Sequence, residues 1–308
     1  MLDILGLLMG FILMIKGADF FVISASRLAK KLKIAPMVIG LTIVAFGTSA
    51  PEAAVSLTAS VRGQSMMTLG NIVGSNLFNI VFILGLIALI KPLWVTSTLL
   101  KREIPFALLS SVLLMAFYWL FSAHIGRFEG LMLVVLFAVY LGVILAPKEI
   151  EKKAIYDEKI PMKPILIYGF LGLVMIIAGG IWTTQSASNL AMMLGMSEWL
   201  VGLTILAIGT SLPELMTSVV AVIKKERDLA LGNIIGSNIF NIMFILGASS
   251  LIRPITFSKT ALSDVIILCI ISALVYLFSF TNRKIDRLEG LVLLIIYISY
   301  MVFIIIRN

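Results

Sequence analysis

The chain has 308 residues, of which 60% are hydrophobic and 13% are charged, and its mean hydropathy is +1.11. Soluble domains are about 45–50% apolar and about 25% charged, so this composition excludes an ordinary soluble domain and indicates a membrane protein. A formal net charge of +8 also occurs in nucleic-acid-binding proteins, but the positions of the basic residues indicate membrane topology instead.

A helix needs about 20 apolar residues to cross a bilayer. By this criterion the sequence predicts an all-α membrane protein with ten transmembrane helices. The N-terminal stretch has no basic segment and no clear cleavage site, so we interpret it as the first span rather than a removed signal peptide. To within a few residues at each end, the predicted spans are residues 2–29, 35–61, 67–90, 103–122, 128–146, 164–194, 198–223, 229–252, 260–281 and 287–306.

Lysine and arginine are distributed unequally between the two sides of the membrane that these spans define. One side has 18 of them and the other has 5, while Lys16 lies within the first span. The positive-inside rule then puts both termini outside the cell and the polar segment 147–163 in the cytoplasm. The expected location is the plasma membrane.

The sequence contains an internal repeat. Residues 40–84 and 202–246 align without gaps and are identical at 25 of 45 positions. The predicted domains are a first repeat at 1–146 (helices 1–5), a short linker at 147–163 and a second repeat at 164–308 (helices 6–10). Because five spans per half is an odd number, the halves are expected to be inverted repeats, an architecture typical of secondary transporters.

Each repeat contains the hexapeptide Gly-Thr-Ser-x-Pro-Glu, at residues 47–52 and 209–214. A carboxylate near the centre of a membrane helix costs about 2.5–3.5 kcal/mol, which indicates a functional role. The proline cannot donate to the carbonyl group four residues earlier, so the core helices are predicted to be discontinuous. Carboxylates, hydroxyls and freed carbonyls are hard oxygen ligands that suit Na⁺, Mg²⁺ or Ca²⁺. Each hexapeptide therefore predicts half of a cation site.

The span after each hexapeptide carries Gly-Asn-x-x-Gly-Ser-Asn-x-x-Asn. Helical spacing places three polar side chains of each copy on one face, namely Asn71, Ser75 and Asn79 in the first and Asn233, Ser237 and Asn241 in the second. Each of these sets of three side chains forms a polar stripe along its helix. Asn76 and Asn238 lie a quarter turn away from the polar stripes, and we expect them to support the ligands. The glycines by themselves are typical of close helix packing, which remains an alternative role for them.

The oxygen count fits calcium, because Ca²⁺ takes about six to eight oxygen ligands and two bidentate glutamates would supply four. Two carboxylates also neutralise one divalent ion, whereas several Na⁺ ions are an alternative occupant of the same oxygens. Mg²⁺ fits less well because it loses water reluctantly. Asp19 has no acidic counterpart in the second half, and either pairs with Lys16 or a nearby hydroxyl, or contacts the ion.

With these motifs the chain resembles the cation/calcium exchanger superfamily, particularly the prokaryotic (archaeal and bacterial) sodium/calcium exchangers. The resemblance implies ten helices, with the ion cluster formed by the second, third, seventh and eighth. It implies a secondary active antiporter, not an enzyme, that exchanges about three Na⁺ for one Ca²⁺ by alternating access. The implied metal ligands are Thr48, Ser49, Glu52, Ser75, Asn79, Thr210, Ser211, Glu214, Ser237 and Asn241, with the carbonyl groups of Ala45 and Ala207.

Several alternatives remain open. Many prokaryotic relatives and the potassium-dependent exchangers have aspartate at the position of Asn241, so the amide pair of Asn79 and Asn241 favours exchange without K⁺. The nearest rival function is proton-coupled Ca²⁺ exchange, in which the two glutamates take up protons. A cation channel fits the inverted repeat less well, and an intramembrane hydrolase lacks a histidine near Ser49 and Ser211.

The expected partners are Ca²⁺ and Na⁺ as substrates and the lipid bilayer. Neither a nucleic acid nor a cofactor is expected. The sequence leaves the oligomeric state open and allows a monomer.

Overall fold

The computed structural model describes residues 2–120, 124–146, 161–195, 207–281 and 283–307, and these ranges are almost entirely helical. The helices are α1 (Leu2–Leu32), α2 (Pro36–Thr48), α3 (Ala50–Val61), α4 (Ser65–Ile90), α5 (Leu99–Leu120), α6 (Arg127–Leu145), α7 (Met162–Met193), α8 (Ala207–Thr210), α9 (Leu212–Ile223), α10 (Arg227–Ile252), α11 (Lys259–Phe280) and α12 (Arg287–Arg307). The short strands are β1 (Leu93–Trp94), β2 (His124–Ile125), β3 (Ile255–Thr256) and β4 (Lys284–Ile285).

Eight of the described helices are long and apolar enough to cross a membrane. A ninth span is obtained if α2 and α3, which are bent by 50° at a short break, are counted as one. The chain is therefore an all-helical, multi-pass membrane protein. The seventh predicted span, 198–223, begins outside the described residues, which contain only its C-terminal part from residue 207. The total of ten helices in two inverted repeats stays a prediction.

The chain divides into two compact units, each made of two segments. The units are Met1–Pro51 with Ile144–Asn233, and Glu52–Val143 with Ile234–Asn308. Each unit therefore combines parts of both sequence repeats. The predicted domain limits, 1–146 and 164–308, were drawn from the duplication and stay a prediction. Most of the predicted linker 147–163 lies outside the described residues, which resume at residue 161.

In the first unit, α1 and α7 pack backbone to backbone through glycines. A Cβ atom added at Gly10 would lie 2.8 Å from the carbonyl oxygen of Gly179, and one at Gly17 would lie 2.7 Å from that of Gly172. Only residues without a side chain allow so close an approach. Because Gly10 is opposite Gly179 and Gly17 is opposite Gly172, the two helices are antiparallel, which is the relation that inverted repeats require of corresponding helices.

In the second unit, helices of one repeat pack against helices of the other. Both α6 and α12 begin with Arg-x-Glu-Gly, and the glycine of each sequence contacts a helix of the other repeat. A Cβ atom added at Gly130 would lie 2.8 Å from the carbonyl oxygen of Gly247 in α10, and one at Gly290 would lie 2.7 Å from that of Gly85 in α4. The short strands also join the two repeats, because each pairs with a strand of the other repeat. β1 pairs with β4 and β2 pairs with β3, both antiparallel.

A buried carboxylate at the start of α5 has its own charge partner. The Glu103 side chain is 1% exposed, forms an ion pair with Arg102 and accepts a hydrogen bond from Tyr140 Oη at 2.7 Å. The sequence predicted this span to begin at residue 103, but the helix begins at Leu99, whose N–H donates to Thr96 Oγ1 at 3.2 Å. The helix thus extends a few residues before the approximate predicted start, because a charged pair that satisfies itself can lie inside a helix.

The contact between α1 and α7 predicts that Gly179→Ala lowers the melting temperature of the purified protein. The new Cβ atom would lie 2.6 Å from the carbonyl oxygen of Gly10, so the helices must separate. Overpacking of this kind costs about 1–3 kcal/mol.

Gly142→Ala is the matched control, because a Cβ atom there has no described atom within 4 Å and alanine favours the helix. Differential scanning fluorimetry in detergent should show a lower melting temperature for Gly179→Ala only. Equal melting temperatures for both variants would contradict the packing argument.

Candidate cation site

Each hexapeptide breaks a helix at its serine. In the first copy α2 ends at Thr48 and α3 begins at Ala50, on either side of Ser49. In the second copy α8 ends at Thr210 and α9 begins at Leu212. The proline of each hexapeptide lies in the first turn after the break, where its missing N–H is not needed for the helix. The predicted discontinuity is therefore present in both copies.

The two glutamates lie in the first turn of the helices that follow the breaks. Glu52 belongs to the start of α3 and Glu214 to the start of α9, and both side chains are fully buried. The first turn of a helix has unpaired N–H groups and a partial positive charge, which favour a carboxylate. Sequence reasoning missed this contribution, because it depends on the residue at which each helix begins.

In the first unit, the glutamate of one repeat contacts the hexapeptide of the other. Ser49 Oγ donates a hydrogen bond to Glu214 Oε1 at 2.7 Å. Thr48 Oγ1 donates to Asn233 Oδ1 at 3.0 Å. Asn233 in turn donates from Nδ2 to Ser218 Oγ at 3.0 Å and to the backbone carbonyl of Glu214 at 3.4 Å. Two segments separated by 165 residues in the sequence are thus brought into direct contact.

In the second unit, Glu52 has a comparable environment. Ser75 Oγ donates to Glu52 Oε1 at 3.5 Å. Asn71 donates from Nδ2 to Ser56 Oγ at 2.9 Å and to the backbone carbonyl of Glu52 at 3.3 Å. Asn71 and Asn233 therefore make equivalent contacts in the two repeats, each holding the helix of the polar stripe against the helix that begins near the glutamate.

The last asparagine of each polar stripe also lies in the second unit. Asn79 donates from Nδ2 to Asn238 Oδ1 at 3.2 Å, and Asn241 donates from Nδ2 to Asn76 Oδ1 at 3.1 Å. The Oδ1 atoms of Asn79 and Asn241 are buried and accept no hydrogen bond from the described residues. Buried polar atoms normally have a partner. These two carbonyl oxygens are therefore available to a cation.

Both polar stripes end in π-helical segments. The first segment is Phe78–Ile83 in α4 and the second is Phe240–Leu246 in α10, so the last asparagine of each stripe is the second residue of a wider turn. A third, Gly40–Val44, lies in α2 just before the first hexapeptide. Such segments are rare and are frequent at functional sites. Sequence reasoning missed these π-helical segments, because polar side chains spaced four residues apart are compatible with an α-helix and do not reveal a single wider turn.

The predicted ligand residues are buried wherever their side chains are described. Ala207 opens α8, but the environment of its side chain lies outside the description. The carbonyl oxygen of Ala45 accepts the Ser49 N–H at 3.0 Å. Thr210 is 7% exposed, and the fully buried residues are Ala45, Thr48, Ser49, Glu52, Ser75, Asn79, Ser211, Glu214, Ser237 and Asn241.

The charge of the donor set is small. No group of three or more His, Cys, Asp or Glu side chains that could hold a metal ion occurs among the described residues. The two glutamates lie in separate sets of neutral hydroxyl and amide groups, which we call the two clusters: Glu214 with Thr48, Ser49 and Asn233 in the first unit, and Glu52 with Asn71 and Ser75 in the second. Oxygen donors of this kind suit hard cations such as Na⁺ and Ca²⁺ rather than soft metals, which prefer thiolate or imidazole.

Asp19 forms an ion pair with a residue that was not among the partners considered from the sequence. Its Oδ1 atom lies 2.6 Å from Lys224 Nζ, just after α9, rather than next to Lys16. Close by in sequence, Ser26 Oγ donates to Glu226 Oε1 at 2.6 Å. No spacing pattern in the sequence pairs Lys224 with Asp19, because the two residues lie far apart along the chain. The pair is partly exposed and therefore worth about 0–1 kcal/mol.

The chain matches the family model described as sodium/calcium exchanger protein at residues 2–146 and 165–306. It is 40% identical over 306 residues to the putative antiporter CaxA of Alkalimonas amylolytica, with 95% of each chain covered. It is 32% identical over 344 residues to the sodium/calcium exchanger MaX1 of Methanosarcina acetivorans, with 96% of each covered. A solved structure of the sodium-calcium exchanger NCX_Mj, soaked with 100 mM Na⁺ and 10 mM Sr²⁺, has a TM-score of 0.87 at 32% identity and covers 98% of each chain.

We expect Ca²⁺ to raise the melting temperature of the purified protein and Glu214→Gln to remove that increase. An ion that binds only the folded state stabilises it by mass action. The substitution keeps the size of the side chain but removes the charge of an oxygen donor.

Glu103→Gln is the control for this thermal-shift experiment, because it neutralises another fully buried carboxylate outside the two clusters. It should lower the melting temperature, since Arg102 loses its partner, yet keep the increase that Ca²⁺ produces. A Ca²⁺-dependent increase that survives in Glu214→Gln would argue against ion binding at Glu214.

Proposed function

The chain belongs to the sodium/calcium exchanger family, and we propose that it is a secondary active antiporter that exchanges about three Na⁺ for one Ca²⁺ by alternating access. The observation that carries the proposal is the burial of one glutamate from each repeat, Glu52 and Glu214, at a helix break lined by serine hydroxyls. A carboxylate persists at such depth where it serves ions or protons.

We assign the transported cations to the oxygens of both clusters. Two carboxylates balance the charge of one Ca²⁺, and hydroxyl, amide and backbone oxygens complete a shell of about six to eight ligands. About three Na⁺ carry one charge more than Ca²⁺, so a full cycle moves net charge across the membrane. The proposed ligands are Thr48, Ser49, Glu52, Ser75, Asn79, Thr210, Ser211, Glu214, Ser237 and Asn241, with the carbonyls of Ala45 and Ala207.

We assign the alternating access to α1 and α7, which slide or rock past the ligand-bearing helices as one body. The glycine contacts between them support this part of the proposal, because two backbones in direct contact cannot separate without losing their packing. The proposed location is the plasma membrane, with both termini outside and segment 147–163 in the cytoplasm. An inward Na⁺ gradient would then drive Ca²⁺ out of the cell.

Transport is tested with purified protein in liposomes loaded with Na⁺ and diluted into buffer that contains radiolabelled Ca²⁺ without Na⁺. We expect uptake that requires internal Na⁺, persists with a protonophore and persists without K⁺. Uptake that ignores Na⁺ but follows an imposed pH gradient would replace the proposal with proton-coupled exchange. Uptake without any counter-ion on the opposite side would instead indicate a channel.

Neutralising either proposed carboxylate should abolish this uptake. We expect Glu52→Gln and Glu214→Gln to reduce Na⁺-driven Ca²⁺ transport to the level of empty liposomes, because the remaining charge no longer balances Ca²⁺.

Glu129→Gln is the matched control, since among the described residues the Glu129 side chain accepts the Gly126 N–H at 2.8 Å, and an amide oxygen accepts it equally well. This variant should transport at a near-normal rate. Near-normal transport by Glu52→Gln or Glu214→Gln would overturn the assignment of these residues.

A further inference from the structure

Four asparagines of the second unit, two from each repeat, form one closed hydrogen-bonded group. Its base is a reciprocal pair: Asn76 donates from Nδ2 to the backbone carbonyl of Asn238 at 3.2 Å, and Asn238 donates from Nδ2 to the backbone carbonyl of Asn76 at 3.3 Å. Both side chains are buried, with 0% and 4% exposure. Neither residue is among the ligands proposed above.

The reciprocal pair determines which way both amide groups point. A backbone carbonyl only accepts hydrogen bonds, so the side-chain group that faces it must be the NH₂ and not the oxygen. The Oδ1 atoms of Asn76 and Asn238 must then point to the opposite side. A rotated amide would place two oxygens together and leave a buried NH₂ without an acceptor, which is unfavourable.

The fixed amide groups of Asn76 and Asn238 in turn determine how the amide groups of the two proposed ligands, Asn241 and Asn79, are oriented. Asn241 faces the Oδ1 of Asn76 at 3.1 Å, and Asn79 faces the Oδ1 of Asn238 at 3.2 Å. Each must present its NH₂ to that oxygen, so its own Oδ1 points away. These are the two buried oxygens that accept no hydrogen bond from the described residues. The group therefore presents two bare carbonyl oxygens and no NH₂ at these positions.

We infer that Asn76 and Asn238 are positioning residues that hold the carbonyl oxygens of Asn241 and Asn79, respectively, as cation ligands. This inference rests on the proposed function. The arrangement is crossed, because the positioning residue of each repeat acts on the ligand of the other. Its benefit is preorganisation: without the pair, each ligand amide is free to rotate and present its NH₂ to a cation, which weakens binding.

A double-mutant cycle tests the inference, because it measures whether two residues act through one another. In the Na⁺-driven uptake assay, Asn76→Ala should raise the KM for Ca²⁺ roughly three- to tenfold, the value of one hydrogen bond, with little change in kcat. In an Asn241→Ala background the same substitution should change KM by less than about twofold.

The chain supplies its own matched control. Asn79 lies on the same helix as Asn76 but is oriented by Asn238, so Asn76→Ala should keep its full effect in an Asn79→Ala background. The mirror cycle, Asn238→Ala with Asn79→Ala and with Asn241→Ala, should give the reverse pattern. A residue that only joins helices would affect both backgrounds equally and would change the melting temperature without the selective change in KM.

The outcomes separate the two proposals. Absence of Na⁺-driven uptake by the unmodified protein overturns the proposed function, whereas active protein with equal effects in both backgrounds overturns the positioning role alone. If an alanine variant does not purify as folded protein, the corresponding serine variant, Asn76→Ser or Asn238→Ser, is used in its place. If neither alanine nor serine is tolerated at either position, the pair is structural and the inference is wrong.

Discussion

Burial of carboxylate and amide oxygens among membrane-spanning helices is the constraint on which the rest of this structure depends. Glu52 and Glu214 have no exposed side-chain surface, so bulk solvent does not surround a charge on either carboxylate. The chain offsets the cost locally, by starting a helix just before each glutamate and by placing a serine hydroxyl against it. Under the proposed function, a bound cation would offset the rest of this cost, so stability would depend on ion binding.

The two copies of the duplicated sequence contact one another in the folded chain rather than forming separate structures. Ser49 of the first hexapeptide meets Glu214 of the second, and the asparagines of the two polar stripes bond to each other. The surrounding helices and strands also join the two repeats, since glycines and short strands of one repeat pack against the other. A substitution in one copy therefore alters contacts that residues of the other copy make.

The two kinds of close contact serve different needs. Glycine contacts between α1 and α7 join two helices along their backbones, so they are suited to move together. The asparagine group instead fixes side chains, since each amide has one orientation that satisfies its donors. A transporter requires both properties, because its ligands must keep their geometry while other helices move.

The sequence alone determined the class of protein, most helix positions, the helix breaks and the pairing of two glutamates with two polar stripes. These features depend on composition, periodicity and local backbone chemistry, which neighbouring residues decide. Only the tertiary structure decided that Asp19 pairs with Lys224, that Glu103 lies inside a helix with Arg102, and that Asn76 orients Asn241. The Asp19–Lys224 and Asn76–Asn241 contacts join residues that are distant in the sequence, so spacing along the chain does not reveal them. The position of Glu103 inside a helix depends on whether Arg102 and Tyr140 satisfy its carboxylate, which only the packed structure decides.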